Sequence, residues 1–156
     1  MRIATWTAAT VLTLDQATKL AVVQGLDLLN RGEIQVWPPF LVFRMAWNQG
    51  INFGLLAHGS DVMRWALVAL ALAIAVWVWV WVRREPHSLV VQLAAGLLIG
   101  GALGNVIDRL VYGAVADFLN MSVPGIENPY SFNVADVAIF VGAVGLVLFT
   151  GRDKTP

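Results

Sequence analysis

The sequence predicts an α-helical integral membrane protein with four transmembrane helices, a small extracytoplasmic β-sheet (a β cradle) and an outer loop. Its 156 residues are 58% hydrophobic and 13% charged, whereas soluble domains average about 45–50% and about 25%. Residues 65–82 form an unbroken apolar run, which is long enough for a transmembrane helix. Several spans with their loops leave no room for a separate soluble domain, so we expect one membrane domain over residues 1–156.

The first predicted span covers residues 3–25. Its apolar run begins after Arg2, is interrupted by Asp15 and Lys19, and resumes at Leu20. The start of a cleavable signal peptide is the alternative for this segment. The renewed apolar sequence makes the whole long enough to span and favours a transmembrane helix.

The second span is predicted at 62–82, the third at 88–110 and the fourth at 133–150. Three tryptophans crowd the end of the second span and are followed by Arg83 and Arg84, which is typical of a helix that leaves the bilayer on the cytoplasmic side. Four spans then leave both termini in the cytoplasm.

The outer loop, about residues 30–59, is too long and too apolar to be a simple connection. From Leu41 to Asn48 the side chains alternate with the period of a half-buried strand, after a turn at Pro38 and Pro39. We expect short strands there, forming a small sheet on the outer membrane surface.

Charge and composition exclude several kinds of function. Ten basic residues balance ten acidic ones, so nothing supports nucleic-acid binding. Without cysteine the chain has no thiol nucleophile and no Cys-ligated metal. His58 and His87 are expected on opposite membrane sides and belong to no HExxH motif. We therefore expect no metal and no cofactor.

Four aspartates remain to be explained, because acidic groups in a bilayer are costly. The predicted topology brings Asp15, Asp108, Asp117 and Asp136 toward the outer boundary. Asp117 and Asp136 have no obvious cation and can meet there. Two adjacent carboxylates share a proton and can serve as base and acid, as in an aspartic protease. Buried carboxylates also bind ions in carriers, so the spacing alone leaves both hypotheses open.

The other polar residues have simpler interpretations. Asp15 and Lys19 are four residues apart on one helix and can form an ion pair. Arg109 and this pair are expected to be mainly structural or orienting, while Asp108 could have either role. Three glycines at four-residue spacing, Gly96, Gly100 and Gly104, predict close packing of a neighbouring helix and no chemistry.

Taken together, five segments resemble the lipoprotein signal peptidase (signal peptidase II) family, a family of bacterial membrane aspartic proteases. They are DQATK at 15–19, NQGINFG at 48–54, GGALGNVIDR at 100–109, VADF at 115–118 and FNVAD at 132–136, in the order and spacing of the family. The resemblance covers nearly the whole chain, and the combination of motifs is highly specific.

The resemblance implies cleavage of diacylglyceryl-modified prolipoproteins on the amino side of the lipidated cysteine, at the periplasmic side of the bacterial cytoplasmic (inner) membrane. Asp117 and Asp136 match the catalytic pair. The residues that match supporting positions, or positions that contact substrate or globomycin-type inhibitors, are Asp15, Lys19, Asn48, Gly50, Asn105, Asp108, Arg109 and Asn133. We expect prolipoprotein substrates, membrane lipid and globomycin-type inhibitors as partners. We also expect the protein to be a monomer.

One residue departs from the family pattern. Asn52 stands where the family usually has a small residue, which puts the local loop packing in doubt. The alternative function from another class is a small proton- or sodium-coupled carrier. Carriers usually hold such groups near the midplane between repeated halves, whereas here the polar residues are predicted near one face. An assembly subunit would leave Asp117 and Asp136 unexplained.

Overall fold

The computed structural model describes residues 1–50 and 60–151, and most of these residues are helical. A π-helical segment, Leu20–Gly25, directly continues the first helix. The other elements are α1 (Arg2–Lys19), α2 (Leu28–Arg31), β1 (Glu33–Trp37), β2 (Leu41–Asn48), α3 (Ser60–Arg84), α4 (Leu89–Tyr112), β3 (Val115–Asn120) and α5 (Val134–Phe149).

Two helices are long and apolar enough to cross a membrane, and they correspond to the predicted spans 62–82 and 88–110. The helix α5 is also apolar but has 16 residues. Its bounds agree with the predicted segment 133–150 within one residue at each end. For α5 and for the predicted span 3–25, a membrane crossing therefore stays a prediction.

The helix α4 is the centre of the helical layer, because α1, α3 and α5 all pack against it. Glycines make two of these contacts close. A Cβ atom on Gly100 would lie 2.6 Å from the carbonyl oxygen of Ala8 in α1, and one on Gly101 would lie 2.5 Å from the carbonyl oxygen of Ala135 in α5. The backbones of α1 and α5 thus approach α4 where it has no side chain.

The first predicted span contains a feature that the sequence did not indicate. Its α-helical part ends at Lys19, and residues 20–25 form a π-helix. Within this segment Val22 and Val23 are buried in a cluster with Leu28 and Phe118. Because π-helical turns depend on the surrounding packing, apolar periodicity does not reveal them.

The sheet has the order β1-β2-β3, with both pairs antiparallel. The strand alternation predicted from Leu41 to Asn48 is confirmed as β2, and residues 38–40 form the turn before it. The prediction confined the sheet to residues 30–59, which was incomplete, because β3 follows α4 and supplies the third strand. Residues 51–59 of the predicted outer loop lie outside the described residues.

The chain segment after β3 returns beside that strand before α5 begins. The backbone N–H of Phe132 donates to the carbonyl oxygen of Leu119 at 2.9 Å, and the N–H of Leu119 donates back at 2.8 Å. Asn133 then caps α5. This return places the start of α5 against β3, and the start of α5 carries Asp136.

The close α1–α4 contact can be tested by adding one methyl group. We expect Gly100→Ala to destabilise the fold by about 1–3 kcal/mol, because the new Cβ meets backbone atoms that cannot rotate away. Gly151→Ala is the control, since a Cβ there meets nothing within 4 Å. Thermal melts in detergent measure both variants, and equal melting temperatures would contradict the packing described.

Candidate active site

Asp117 occupies the middle of β3 and is almost completely buried. The strand can begin there because Gly113 ends α4 in a left-handed conformation, with φ of +82°. Both oxygens of the Asp117 carboxylate accept hydrogen bonds from amides. Asn133 Nδ2 donates to Oδ1 at 2.6 Å, and Asn48 Nδ2 donates to Oδ2 at 3.1 Å.

Asp136 lies in the first turn of α5, where it forms a capping box with Asn133. The side chain of Asn133 accepts from the Asp136 N–H at 2.8 Å, and the Asn133 N–H donates to Asp136 Oδ2 at 3.3 Å. Asn105 of α4 donates from Nδ2 to Asp136 Oδ1 at 2.8 Å. The carboxylate is therefore held by one amide side chain and one backbone N–H.

Asn133 links the two aspartates. The same Nδ2 group that donates to Asp117 also lies 3.2 Å from Asn105 Oδ1, and Asn105 in turn donates to Asp136. Asn48 of β2, Asn105 of α4 and Asn133, the cap of α5, thus hold both carboxylates in one network. The structure brings together Asp117, Asp136, Asn48, Asn105 and Asn133 from the set that the sequence singled out.

Burial and charge change the acidity of Asp117. Burial of the carboxyl group, followed by the negative charge of Asp136, raises the pKa of Asp117 from 3.8 to about 6. Hydrogen bonds from Asn48 and Asn133 and the charge of Lys19 act in the opposite direction. The two carboxylates lie close together, because Asn133 donates to both of them, to Asp117 at 2.6 Å and to Asp136 at 3.3 Å.

A second cluster, the ion triad, consists of Asp15, Lys19 and Asp108. Lys19 Nζ lies 2.7 Å from Asp15 Oδ2 and 2.7 Å from Asp108 Oδ2, and all three residues are buried. The predicted pair of Asp15 and Lys19 therefore exists, and Asp108 joins it. The triad connects α1 to α4 near the C-terminal end of both helices.

Each carboxylate of the ion triad also accepts a hydrogen bond from the backbone N–H of the residue that precedes Asp117 or Asp136. Asp15 Oδ1 accepts from the N–H of Ala135 at 2.9 Å, next to Asp136. Asp108 Oδ2 accepts from the N–H of Ala116 at 3.1 Å, next to Asp117. The ion triad thus fixes the strand and the helix that carry the two aspartates.

Sequence reasoning missed Gln16 as a member of this arrangement. Its Nε2 lies 3.0 Å from Asp108 Oδ1, 3.2 Å from Asp15 Oδ2 and 3.3 Å from the carbonyl oxygen of Gly104. Gln16 belongs to the DQATK segment, but attention to charges alone left it out. A polar uncharged side chain directly after Asp15, inside a predicted span, is the signal that could have found it.

Two predicted residues lie at the edge of the site. Arg109 Nη1 lies 3.4 Å from the carbonyl oxygen of Asn105, and its charge acts on Asp136 and Asp117. The N–H of Gly50 donates to Asn48 Oδ1 at 3.0 Å, and its φ of +104° favours glycine. The departure at Asn52 lies outside the described residues.

The raised pKa of Asp117 makes folding stability depend on pH in a defined direction. Between about pH 4 and 6 folded Asp117 keeps a proton that the unfolded chain loses, so its contribution to stability falls as the pH rises through this window. We expect Asp117→Asn to remove this dependence from melts at pH 4–7. Asp136→Asn should weaken the pH dependence, because it removes a negative charge that raises the pKa of Asp117.

Asp61→Asn is the control for these melts, because Asp61 is exposed at the start of α3. If the Asp117→Asn protein shows the same pH dependence as the wild type, the assignment of the raised pKa to Asp117 is wrong.

Comparison of the sequence with known proteins identifies close relatives. A protein from Methylobacterium radiotolerans named lipoprotein signal peptidase is 47% identical over 139 residues, which cover 88% of this chain and 78% of the relative. Another of that name, from Burkholderia mallei, is 41% identical over 137 residues, which cover 88% of this chain and 80% of the relative.

Comparison of the fold gives similar results. A bacterial membrane enzyme solved in meso at 1.9 Å resolution superposes with a TM-score of 0.81 and 25% identity, covering 99% of this chain and 96% of that one. A second bacterial membrane enzyme, solved in meso at 2.3 Å resolution, superposes with a TM-score of 0.79 and 26% identity, covering 99% of this chain and 91% of that one.

The family model described as signal peptidase (SPase) II matches residues 7–151, which is nearly the whole chain. The segments quoted above all lie within this range. The resemblance seen in the sequence is thereby confirmed, and the chain belongs to the signal peptidase II family.

Proposed function

We propose that this protein is an aspartic endopeptidase that removes the signal peptide from diacylglyceryl-modified prolipoproteins, cleaving on the amino side of the lipidated cysteine. Family membership and the names of the relatives support removal of signal peptides from prolipoproteins. The observation that carries the aspartic mechanism is the network in which Asn133 and Asn105 hold Asp117 and Asp136 together.

The two carboxylates share one proton in the proposed mechanism. The ionised carboxylate accepts a proton from water while the water oxygen attacks the scissile carbonyl carbon, and the protonated carboxyl donates to the carbonyl oxygen. Collapse of the tetrahedral intermediate then breaks the C–N bond: one hydroxyl proton returns to the ionised carboxylate as the C=O bond re-forms, and the departing amine takes the proton of the other carboxyl. The environment that raises the pKa of Asp117 favours a proton at that position.

The amides orient the carboxylates without supplying a proton. Asn48 and Asn133 occupy one oxygen each of Asp117, so its plane cannot rotate freely. Asn105 does the same for Asp136. Such pre-organisation lowers the barrier because the reacting groups need no reordering at the moment of reaction.

Arg109 and Gly50 are proposed to contact substrate or globomycin-type inhibitors. Arg109 is partly exposed beside the pair, and its guanidinium can donate to a peptide carbonyl. Gly50 follows the strand that carries Asn48, and its N–H holds the Asn48 side chain that contacts Asp117. We propose that the protein acts as a monomer on substrates anchored in membrane lipid.

The proposed setting is the bacterial cytoplasmic membrane, crossed four times, with both termini in the cytoplasm and the aspartates toward the periplasm. In support, Arg83 and Arg84 end α3 beside a cluster of tryptophans, which suits a cytoplasmic exit. The aspartates lie near the opposite end of the helical layer, at the end of α4 and the start of α5. A bond next to a lipidated cysteine lies at that boundary.

The alternative of an ion-coupled carrier finds no support in the family or the relatives. The peptidase hypothesis accounts for both aspartates and for their position beside a sheet.

The central test replaces each aspartate without changing its shape. We expect Asp117→Asn and Asp136→Asn each to lower the turnover of a lipidated prolipoprotein by at least about a hundredfold, because an amide cannot exchange the required proton. EDTA should leave the wild-type rate unchanged. Release of signal peptide on a gel measures turnover, and thermal melts check folding.

Asp61→Asn is the matched control, because it removes an exposed carboxylate on α3. A paired-aspartate variant that keeps a large share of activity, or a wild type silenced by EDTA and restored by zinc, excludes the aspartic mechanism.

The lipid on the substrate provides a second test. A diacylglyceryl group holds the cysteine at the bilayer boundary and gains about 0.8 kcal/mol for each buried CH₂. We therefore expect an unlipidated precursor to be cut much more slowly than the lipidated form at equal concentration. Equal rates for the two precursors in the same detergent would refute this requirement.

A further inference from the structure

A cavity lies on the face of the sheet that points away from the aspartate pair. Pairing of β2 with β3 puts Ala46, Asn48 and Asp117 on one face and puts Trp47 opposite Ala116 on the other. Trp47 and Ala116 line a cavity of about 290 Å³ together with residues of α1, the π-helical segment and the end of α4. We call it the π-helix cavity.

The walls of the π-helix cavity are mostly apolar. Leu20 and Val23 of the π-helical segment and Leu29 of α2 form one side. Leu20 is 60% exposed and Leu29 is 52% exposed, so the cavity opens on an apolar surface. A ligand that enters here must itself have an apolar part.

One end of the cavity is polar and belongs to the ion triad. Gln16, Lys19 and Asp108 line it together, and both Gln16 and Lys19 contact Asp108. An ammonium group has three N–H donors, and within the described residues Lys19 has carboxylate partners only in Asp15 and Asp108. Among the described residues the two carboxylates account for two of these donors, and the third N–H can serve a ligand in the cavity.

The charge of this polar end selects the kind of ligand. Two carboxylates and one ammonium give a formal charge of −1, and burial strengthens the repulsion of any further anion. A fatty-acid carboxylate or a lipid phosphate is therefore disfavoured. An uncharged acceptor such as an ester carbonyl fits, and Gln16 and Asp108 offer oxygens to a hydroxyl group.

We propose that the π-helix cavity binds the uncharged glyceryl ester end of a glycerolipid, with the Lys19 ammonium donating to the ester carbonyl. At about 30 Å³ for each water-sized group, 290 Å³ holds about ten non-hydrogen atoms, which is the size of a glycerol with one ester group. The acyl chain leaves past Leu20 toward the lipid. The source is either a bilayer glycerolipid or the diacylglyceryl group of the substrate, and the second source rests on the proposed function.

Photolabelling of the full chain in lipid nanodiscs tests the site without requiring cleavage. The probe is a monoacylglycerol with a diazirine in its acyl chain, and the matched control probe is the fatty acid with the same chain. At pH 8 we expect the monoacylglycerol to label the π-helical segment about tenfold more than the anionic fatty acid does. Mass spectrometry of peptides locates the label.

Two variants fill the cavity without touching the aspartate pair. Gln24 is exposed and contacts Tyr112 at 3.4 Å, and Leu20 lies at the opening. Gln24→Trp and Leu20→Trp should each reduce labelling about tenfold, whereas Gln24→Ala should keep it. Equal labelling by the two probes, or full labelling of both folded tryptophan variants, overturns the proposal.

A competition experiment separates the two sources. The Asp136→Asn protein, which should not cut its substrate, is labelled in the presence of a lipidated prolipoprotein. Displacement of the probe identifies the substrate lipid as the occupant, and undiminished labelling identifies a bilayer lipid. Because labelling is read without turnover, loss of peptidase activity in the wild type would contradict the proposed function and leave the lipid site standing.

Discussion

The ion triad of Asp15, Lys19 and Asp108 is the interaction on which the rest of the site depends. Removing one partner of a buried ion pair leaves an uncompensated charge and typically costs about 3–5 kcal/mol, so the three side chains hold α1 and α4 in one arrangement. Asp108 Oδ2 also accepts from the backbone of β3, and Asp15 Oδ1 accepts from the backbone at the start of α5. The four elements α1, α4, β3 and α5 are thereby fixed around a single cluster.

Close helix packing makes this cluster possible. A Cβ on Gly104 would lie 2.5 Å from Asp15 Oδ2, so any larger residue would push the carboxylate away from Lys19 and from Ala135. The sequence suggested that the glycine stripe serves packing alone. For Gly96 and Gly100 the structure agrees, since their contacts are with α1. At Gly104 the missing side chain also leaves room for a charged group of the site.

Features with a strong local signal could be predicted from the sequence. Long apolar runs predicted α3 and α4, and alternation predicted β2. The approach of Asp117 to Asp136 followed from which ends of the helices face the same side. The strand β3 could not be predicted, because its six residues follow a helix directly and are held by pairing with a distant strand. The π-helical segment and the role of Gln16 depend on tertiary contacts in the same way.

A common local arrangement explains how one cluster can orient two carboxylates. Both aspartates follow the dipeptide Val-Ala, at 115–116 and at 134–135. Each alanine is buried, and its small side chain lets the backbone N–H approach a carboxylate of the ion triad. In β3 successive side chains point to opposite faces of the sheet. The hydrogen bond that holds the N–H of Ala116 therefore also fixes the position of Asp117, whose side chain points to the opposite face. In α5 the next residue completes the capping box, so fixing Ala135 sets Asp136. A strand and a helix thus bring their carboxylates close together, because in each of them the backbone N–H of the preceding alanine binds a carboxylate of the ion triad.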